Sequence, residues 1–200
     1  MKAPDLNPYP NDAEALTEHL VRAAAGDRSA FAALVQHYQR PVFGFLGRMG
    51  LHQFEAEEVA QEAFLRAWLH LGRYQAARGA FSTWLYTIAK RLALHELDRA
   101  ERRRRDSGGA SPPDTACERP GPAQTLHQQQ RRTALQAALR QLPSADRSTL
   151  ALAYVHDLSL AEVAQIEGCS EAAVKARLHR ARQRLRSLVP ALNPTARSDP

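Results

Sequence analysis

Residues 106–125, DSGGASPPDTACERPGPAQT, hold seven Gly or Pro and almost no large apolar side chain, and they fall near the middle of a 200-residue chain. Such a stretch cannot bury enough surface to offset the entropy of ordering it, so it is predicted to be a linker. Whatever folds on either side must build its own small core.

On both sides the apolar spacing is helical, and no run of β-branched alternation bounded by turn signals occurs. The expected fold class is all-α, with two small helical domains on a flexible linker. The predicted boundaries are a tail and first helix at 1–26, a first domain at 27–105, the linker at 106–129, a second domain at 130–189 and a tail at 190–200.

In the first half Asp12 and Asp27 stand where N-caps belong, Pro41 is expected to bend the second helix, and Ser82 is expected to open the fourth. Four helices make a compact bundle. In the second half Ser159 and Glu162 form an S-x-x-E capping box, and Gly168 sits where a tight turn requires positive φ. Ser170 then caps the next helix. A short helix, a Gly turn and a long basic helix form the helix-turn-helix pattern.

That last helix puts six Lys or Arg and one acid into residues 169–186. At 100° per residue Val174, Leu178, Ala181, Leu185 and Leu188 share one stripe, which must pack on the domain. Opposite lie Ala172, Ala176, His179, Arg180 and Gln183, with Lys175 and Arg186 on one flank and Arg177 on the other. Small residues lead and long basic ones follow, which suits a helix whose tip approaches base edges while later cations meet phosphates. A solvated basic face is the plainer alternative. A membrane-surface helix is disfavoured, because the apolar stripe is needed inside.

The excess of 27 Lys and Arg over 21 Asp and Glu makes a polyanionic partner plausible. Within it, EAEEVAQEAFLRAW is a local exception. Its core stripe is Ala56, Val59, Ala60, Ala63, Phe64 and Ala67, with Trp68 on the flank. Glu58, Gln61, Glu62, Leu65 and Leu69 face away. Exposed Leu beside Glu suggests a protein partner, unless the two leucines pack under a neighbouring helix.

No apolar run of signal-peptide or membrane-span type occurs, so a soluble, cytoplasmic protein without membrane insertion is expected. Cys117 and Cys169 are far apart and lack ligand-spaced histidines. No HExxH, P-loop or dinucleotide fingerprint is present, so no catalytic residue, metal or cofactor is expected.

GDRSAFAALVQHY, AEEVAQEAFLRAW, FSTWLYTIAKRLALHELDR and, beyond the linker, LSLAEVAQIEGCSEAAVKARLHRARQRLR together resemble the extracytoplasmic-function sigma factors of bacterial RNA polymerase, in the sigma-70 family. The resemblance covers both halves in order. It implies sigma domain 2 (27–105) and sigma domain 4 (130–189), and a subunit that directs core polymerase to promoters and assists melting without doing chemistry. It makes Glu58, Gln61, Glu62, Leu65 and Leu69 the surface for core RNA polymerase.

For the promoter −10 element it points to Arg73, Tyr74, Arg78, Thr83, Trp84, Tyr86, Thr87, Lys90 and Arg91, since melted strands are held by stacking surfaces and cations. Trp84 and Phe81 read equally as core, and Arg102 to Arg105 as a phosphate clamp or a solvated edge. For the −35 element it points to Ser170, Glu171, Ala172, Lys175, Ala176, Arg177, His179, Arg180 and Gln183. The implied partners are core polymerase and promoter DNA, duplex and melted, with an anti-sigma factor left open.

Arg91 stands where family members usually carry Asn, and His95 where Asp is common, so promoter sequence does not carry over. Elements 17 base pairs apart are separated by about 58 Å at 3.4 Å per pair. Twenty extended residues reach about 66 Å, against a relaxed length near 25 Å. The tether spans that gap when stretched, and the free domains are expected to wander. A self-standing helix-turn-helix regulator and a polymerase adaptor that never touches DNA are the rival functions.

Overall fold

A computed structural model of the chain describes residues 12–106 and 126–188, and these are helical with short connections. The first half comprises α1 (Asp12–Ala24), α2 (Arg28–Met49), α3 (Gln53–Leu69) and α4 (Phe81–Asp106). Two 3₁₀ turns, Leu71–Arg73 and Ala76–Arg78, fill the connection between α3 and α4. The second half comprises α5 (Leu126–Arg140), α6 (Ser144–Tyr154), α7 (Leu160–Glu167) and α8 (Glu171–Leu188). The expected linker thus overlaps α4 at 106 and α5 at 126–129, and most of it lies outside the described residues, as does Cys117.

Local chemistry explains several helix ends. Asp27 caps α2, accepting from the backbone N–H of Ser29 and Ala30 at 2.8 and 3.2 Å. The Ser29 hydroxyl and then the Arg22 guanidinium hold its carboxyl far below the usual range. α1, by contrast, begins at Asp12 itself, and α4 begins at Phe81, so Ser82 lies inside it. α2 runs on past Pro41 as a single helix and closes at Gly50, whose φ of 105° a side chain would disfavour.

The capping box of α7 forms as the spacing requires: the Ser159 N–H donates to Glu162 Oε2 at 2.9 Å, and Glu162 N–H donates to Ser159 Oγ at 3.3 Å. Gly168 ends the helix at φ 68°, in the left-handed region.

One continuous core runs through both halves, in place of the two separate cores expected: Leu34, Val42, Phe45, Leu46 and Met49 of α2, the alanine-rich stripe of α3 and Leu85, Ala89 and Ala93 of α4 share it with Leu150 and Leu152 of α6, Val163 and Ile166 of α7, and Val174, Leu178 and Ala181 of α8.

In this structure the two halves pack against one another. α6 packs on α2, and α7 packs on α4. Arg147 of α6 crosses over, donating to the Met49 carbonyl at the end of α2 from Nε (3.0 Å) and from its terminal nitrogen (2.6 Å). Its other terminal nitrogen donates to the carbonyls of Arg140 and Leu142, so one guanidinium satisfies carbonyls at helix C-termini from both halves. A Cβ at Gly50 would lie 2.6 Å from that group.

His156, just past α6, completes the seam: its Nδ1 is hydrogen-bonded to the Tyr86 hydroxyl at 2.8 Å, and its ring lies 6.0 Å from that of Phe45. Burial, reinforced by the Arg48 charge, pushes this imidazole from 6.5 down to about 4.

Two measurements test these placements. Ser159→Ala should lower stability by about 1 kcal/mol, read from the urea midpoint. His156 binds a proton more weakly when folded than when unfolded, so the stability linked to it is complete above pH 6.5 and lost as pH falls toward 4. His156→Gln should therefore show a smaller drop in thermal midpoint between about pH 7.5 and pH 5 than the parent chain.

Candidate nucleic-acid interface

α8 carries its charge on a face separated cleanly from its core stripe. Val174, Leu178 and Ala181 are buried, while Ser170, Glu171, Ala172, Lys175, Ala176, His179, Arg180 and Gln183 are all exposed. The Ala173 N–H donates to Ser170 Oγ at 3.2 Å, which starts the helix where the cap was expected. The stripe runs out toward the end: Leu185 is half-buried and Leu188 is 39% exposed, so internal packing does not account for all of it.

Arg177 corrects the expected −35 set. It turns inward, donating to Glu167 Oε2 at 2.8 Å and to Thr149 Oγ1 at 3.3 Å. The carboxylate holds it because Glu167 is almost completely enclosed and requires cations. The Ser148 hydroxyl donates to the other oxygen of Glu167 at 2.6 Å. Arg177 therefore braces the turn between α7 and α8.

On α3 the predicted core stripe matches the buried set residue for residue: Ala56, Val59, Ala60, Ala63, Phe64 and Ala67. Glu58, Gln61, Leu65 and Leu69 are exposed, and half-buried Glu62 is paired with Arg66 at 2.6 Å. Leu65 and Leu69 do not pack under a neighbour, being 51% and 65% exposed. Phe54, which periodicity reasoning passed over, is 69% exposed on the same face, one helical turn before Glu58. Extending the spacing backward by four residues would have found it.

The α4 region divides. Arg73, Arg78 and Arg91 are exposed, and Tyr74, Trp84 and Thr87 are half-buried. The Tyr74 hydroxyl donates to the Gly79 carbonyl at 3.1 Å and closes the loop. The Tyr74, Phe81 and Trp84 rings meet edge-on or tilted at centroid distances of 5.6 to 5.8 Å; Phe81 is core and Trp84 is half-buried. Trp84, Thr87, Arg91 and His95 follow one another at helical spacing.

Three residues of the expected −10 set are not on the accessible surface. Thr83 is fully buried, and Tyr86 is buried against Phe45 and His156, with burial raising its phenol well above the ordinary range. Lys90 is covered by α7: its ammonium donates to Glu167 Oε2 at 2.9 Å and to the Ile166 carbonyl at 3.3 Å. Arg103 and Arg105 pair with Glu96 and Glu101 at 2.8 and 3.3 Å, which favours a solvated edge for that run.

Residues 34–103 match the family Sigma-70 region 2, and residues 132–185 match Sigma-70, region 4. The RNA polymerase sigma factor RpoE of Cereibacter sphaeroides, an extracytoplasmic-function protein, is 32% identical over 160 residues, covering 80% of this chain and 86% of its own. The chain belongs to the extracytoplasmic-function sigma factors of the sigma-70 family.

The sigma-H factor of Pseudomonas aeruginosa is likewise 32% identical, over 178 residues, 81% of this chain and 87% of its own. SigW of Bacillus subtilis is 29% identical over 181 residues, 86% and 95% of the two chains. The solved sigma factor RpoE of Bartonella quintana, in complex with the anti-sigma factor NepR, shares the fold with a TM-score of 0.68 at 22% identity, over 82% of this chain and 98% of that one. This sigma factor serves promoter recognition and transcription initiation with RNA polymerase, as a DNA-binding regulator of a generally non-enzymatic family. Among the described residues no helix is long and apolar enough to cross a membrane.

The opposite environments of two neighbouring arginines yield a prediction. Arg180→Ala in the full chain should weaken duplex DNA binding and lower the log-log salt slope by about 0.9. Arg177→Ala should leave that slope unchanged and lower the thermal midpoint instead, because it leaves part of the enclosed Glu167 charge unpaired.

Proposed function

We propose that the three exposed faces divide the work of initiation. α8 enters the major groove at the −35 element with Ser170, Glu171, Ala172, Lys175, Ala176, His179, Arg180 and Gln183. α3 docks on the clamp of core RNA polymerase with Glu58, Gln61, Glu62, Leu65 and Leu69, joined by Phe54. The loop before α4 and its exposed face take the melted strand near the start site, with Arg73, Arg78 and Arg91 on phosphates and Trp84 as a stacking surface. The units 27–105 and 130–189 act as separate modules, with 106–129 as the tether between two DNA elements.

The observation that carries this division is the uninterrupted exposed face of α8, small at its start and basic beyond, opposite a buried stripe. A helix that merely solvated its charge would have no need of that size gradient. The unpartnered leucines of α3 distinguish the protein from a lone regulator, which has no use for an apolar and acidic docking face. Work with polymerase supports a cytoplasmic location. The Bartonella quintana relative's complex with NepR supports an anti-sigma partner for this chain too.

Reconstituted transcription tests the whole. Core polymerase with this chain should initiate at a subset of a genomic promoter library, and failure at every promoter would reject the sigma role. At residue level, Glu58→Lys with Glu62→Lys should weaken core polymerase binding at least about tenfold, or 1.4 kcal/mol. Duplex DNA binding by the same full-length variant should be retained. Equal loss of both would overturn the assignment of the α3 face.

A further inference from the structure

Two of the six cations of α8 are spent inside the second half. Arg177 is held by Glu167 at 2.8 Å and Arg184 by Asp146 at 2.8 Å, through acids that α7 and α6 bring against α8. Lys175, Arg180, Arg182 and Arg186 remain on the exposed surface, and His179 stands in their midst. At 100° per residue Lys175 and Gln183 lie one turn to either side of His179, and Arg186 lies two turns beyond it.

His179 is exposed, and among the described residues it makes no hydrogen bond or ion pair. The acids of the helices packed on α8 are committed elsewhere. Asp146 and Glu167 face Arg184 and Arg177 on the opposite side, and Glu162 accepts from the N–H and hydroxyl of Ser159. Glu171 begins α8 two turns before His179, about 12 Å away at 1.5 Å per residue. α5 carries no acid. An anion for a protonated His179 must therefore come from a ligand.

We propose that protonated His179 forms a contact to a DNA phosphate, so that promoter binding by α8 takes up a proton and tightens as pH falls. Imidazole is the side chain whose charge ordinarily changes between about pH 5 and pH 8, and a phosphate beside it favours the charged form. One proton taken up on binding raises affinity by at most about tenfold for each pH unit of acidification. The gain is lost as pH rises, because a neutral ring neutralises no phosphate. Lys175, Arg180, Arg182 and Arg186 supply the affinity that remains. The same helix that reads the promoter thus registers acidification, with no separate sensing domain.

The proton-linked contact rests on the major-groove role proposed for α8, and the test separates the two. The probe is a labelled duplex of random sequence, since a phosphate contact is independent of base sequence. Fluorescence anisotropy reads its binding to the full-length chain over a salt series at about pH 6 and about pH 8. His179→Gln removes the charge at both values. His179→Arg fixes it at both. His70→Gln, at an exposed histidine outside every proposed contact set, controls for histidines in general. His156 is held near 4 by burial and stays neutral across this range.

The parent chain is expected to bind about three- to tenfold more tightly at the lower pH, with a log-log salt slope steeper by about 0.9. His179→Gln should abolish both differences, His179→Arg should show the steeper slope at both values, and His70→Gln should behave as the parent. A parent slope that does not change with pH, or a change that survives in His179→Gln, would overturn the proposal. Arg180→Ala at the higher pH reports on the underlying role. If it lowers the slope while the parent shows no pH difference, the proton-linked contact is rejected and the α8 assignment stands. If Arg180→Ala and Lys175→Ala both leave binding unchanged, the α8 assignment fails and the proton-linked contact with it.

Discussion

The carboxylate of Glu167 ties four helices of this molecule together. It sits at the end of α7, enclosed, and receives Ser148 from α6, Arg177 from α8 and Lys90 from α4. An ionised carboxylate removed from water is costly unless each lone pair finds a donor. The three donors come from three different helices, so satisfying one charge orients the helix-turn-helix and secures the seam to the first half. A hydrophobic residue in its place would pack, but it would not specify which side chains converge there.

From that point outward the chain is organised as faces. α8 and α3 each bury one stripe of small and branched apolar residues, and so each must present the opposite stripe to something else. On α8 that stripe is small, then basic; on α3 it is acidic and leucine-bearing. The contrast follows from partner chemistry, since a nucleic acid offers phosphates and base edges whereas a protein clamp offers apolar surface rimmed by charge. α4 is different because both of its long sides are in use, one by the bundle and one by α7, and its candidate DNA contacts are divided between open and covered positions.

Much of this was legible beforehand. The α3 stripe from Ala56 to Ala67, the capping box of Ser159 and Glu162, the turn at Gly168 and the cap at Asp27 depend on neighbours within four residues, and helical periodicity exposes such relations directly. Phe54 obeyed the same rule and was missed only because the stripe was started too late. Thr83, Tyr86, Lys90 and Arg177 were misplaced for another cause. Each looked like an outward polar or aromatic residue on its own helix, but Thr83 is fully buried, and Tyr86, Lys90 and Arg177 find partners outside their own helices.

Sequence alone therefore determined the helices, the caps at Asp27, Ser159 and Ser170 and the faces of α3 and α8, because all of these are set by backbone preferences and by spacing within one helix. Tertiary structure decided that the halves close on one another, that Arg177 braces a turn, and that Lys90 meets a carboxylate. Those outcomes depend on which groups must share the buried Glu167 charge, Arg177 from 10 residues away and Lys90 from 77, and no local period encodes them.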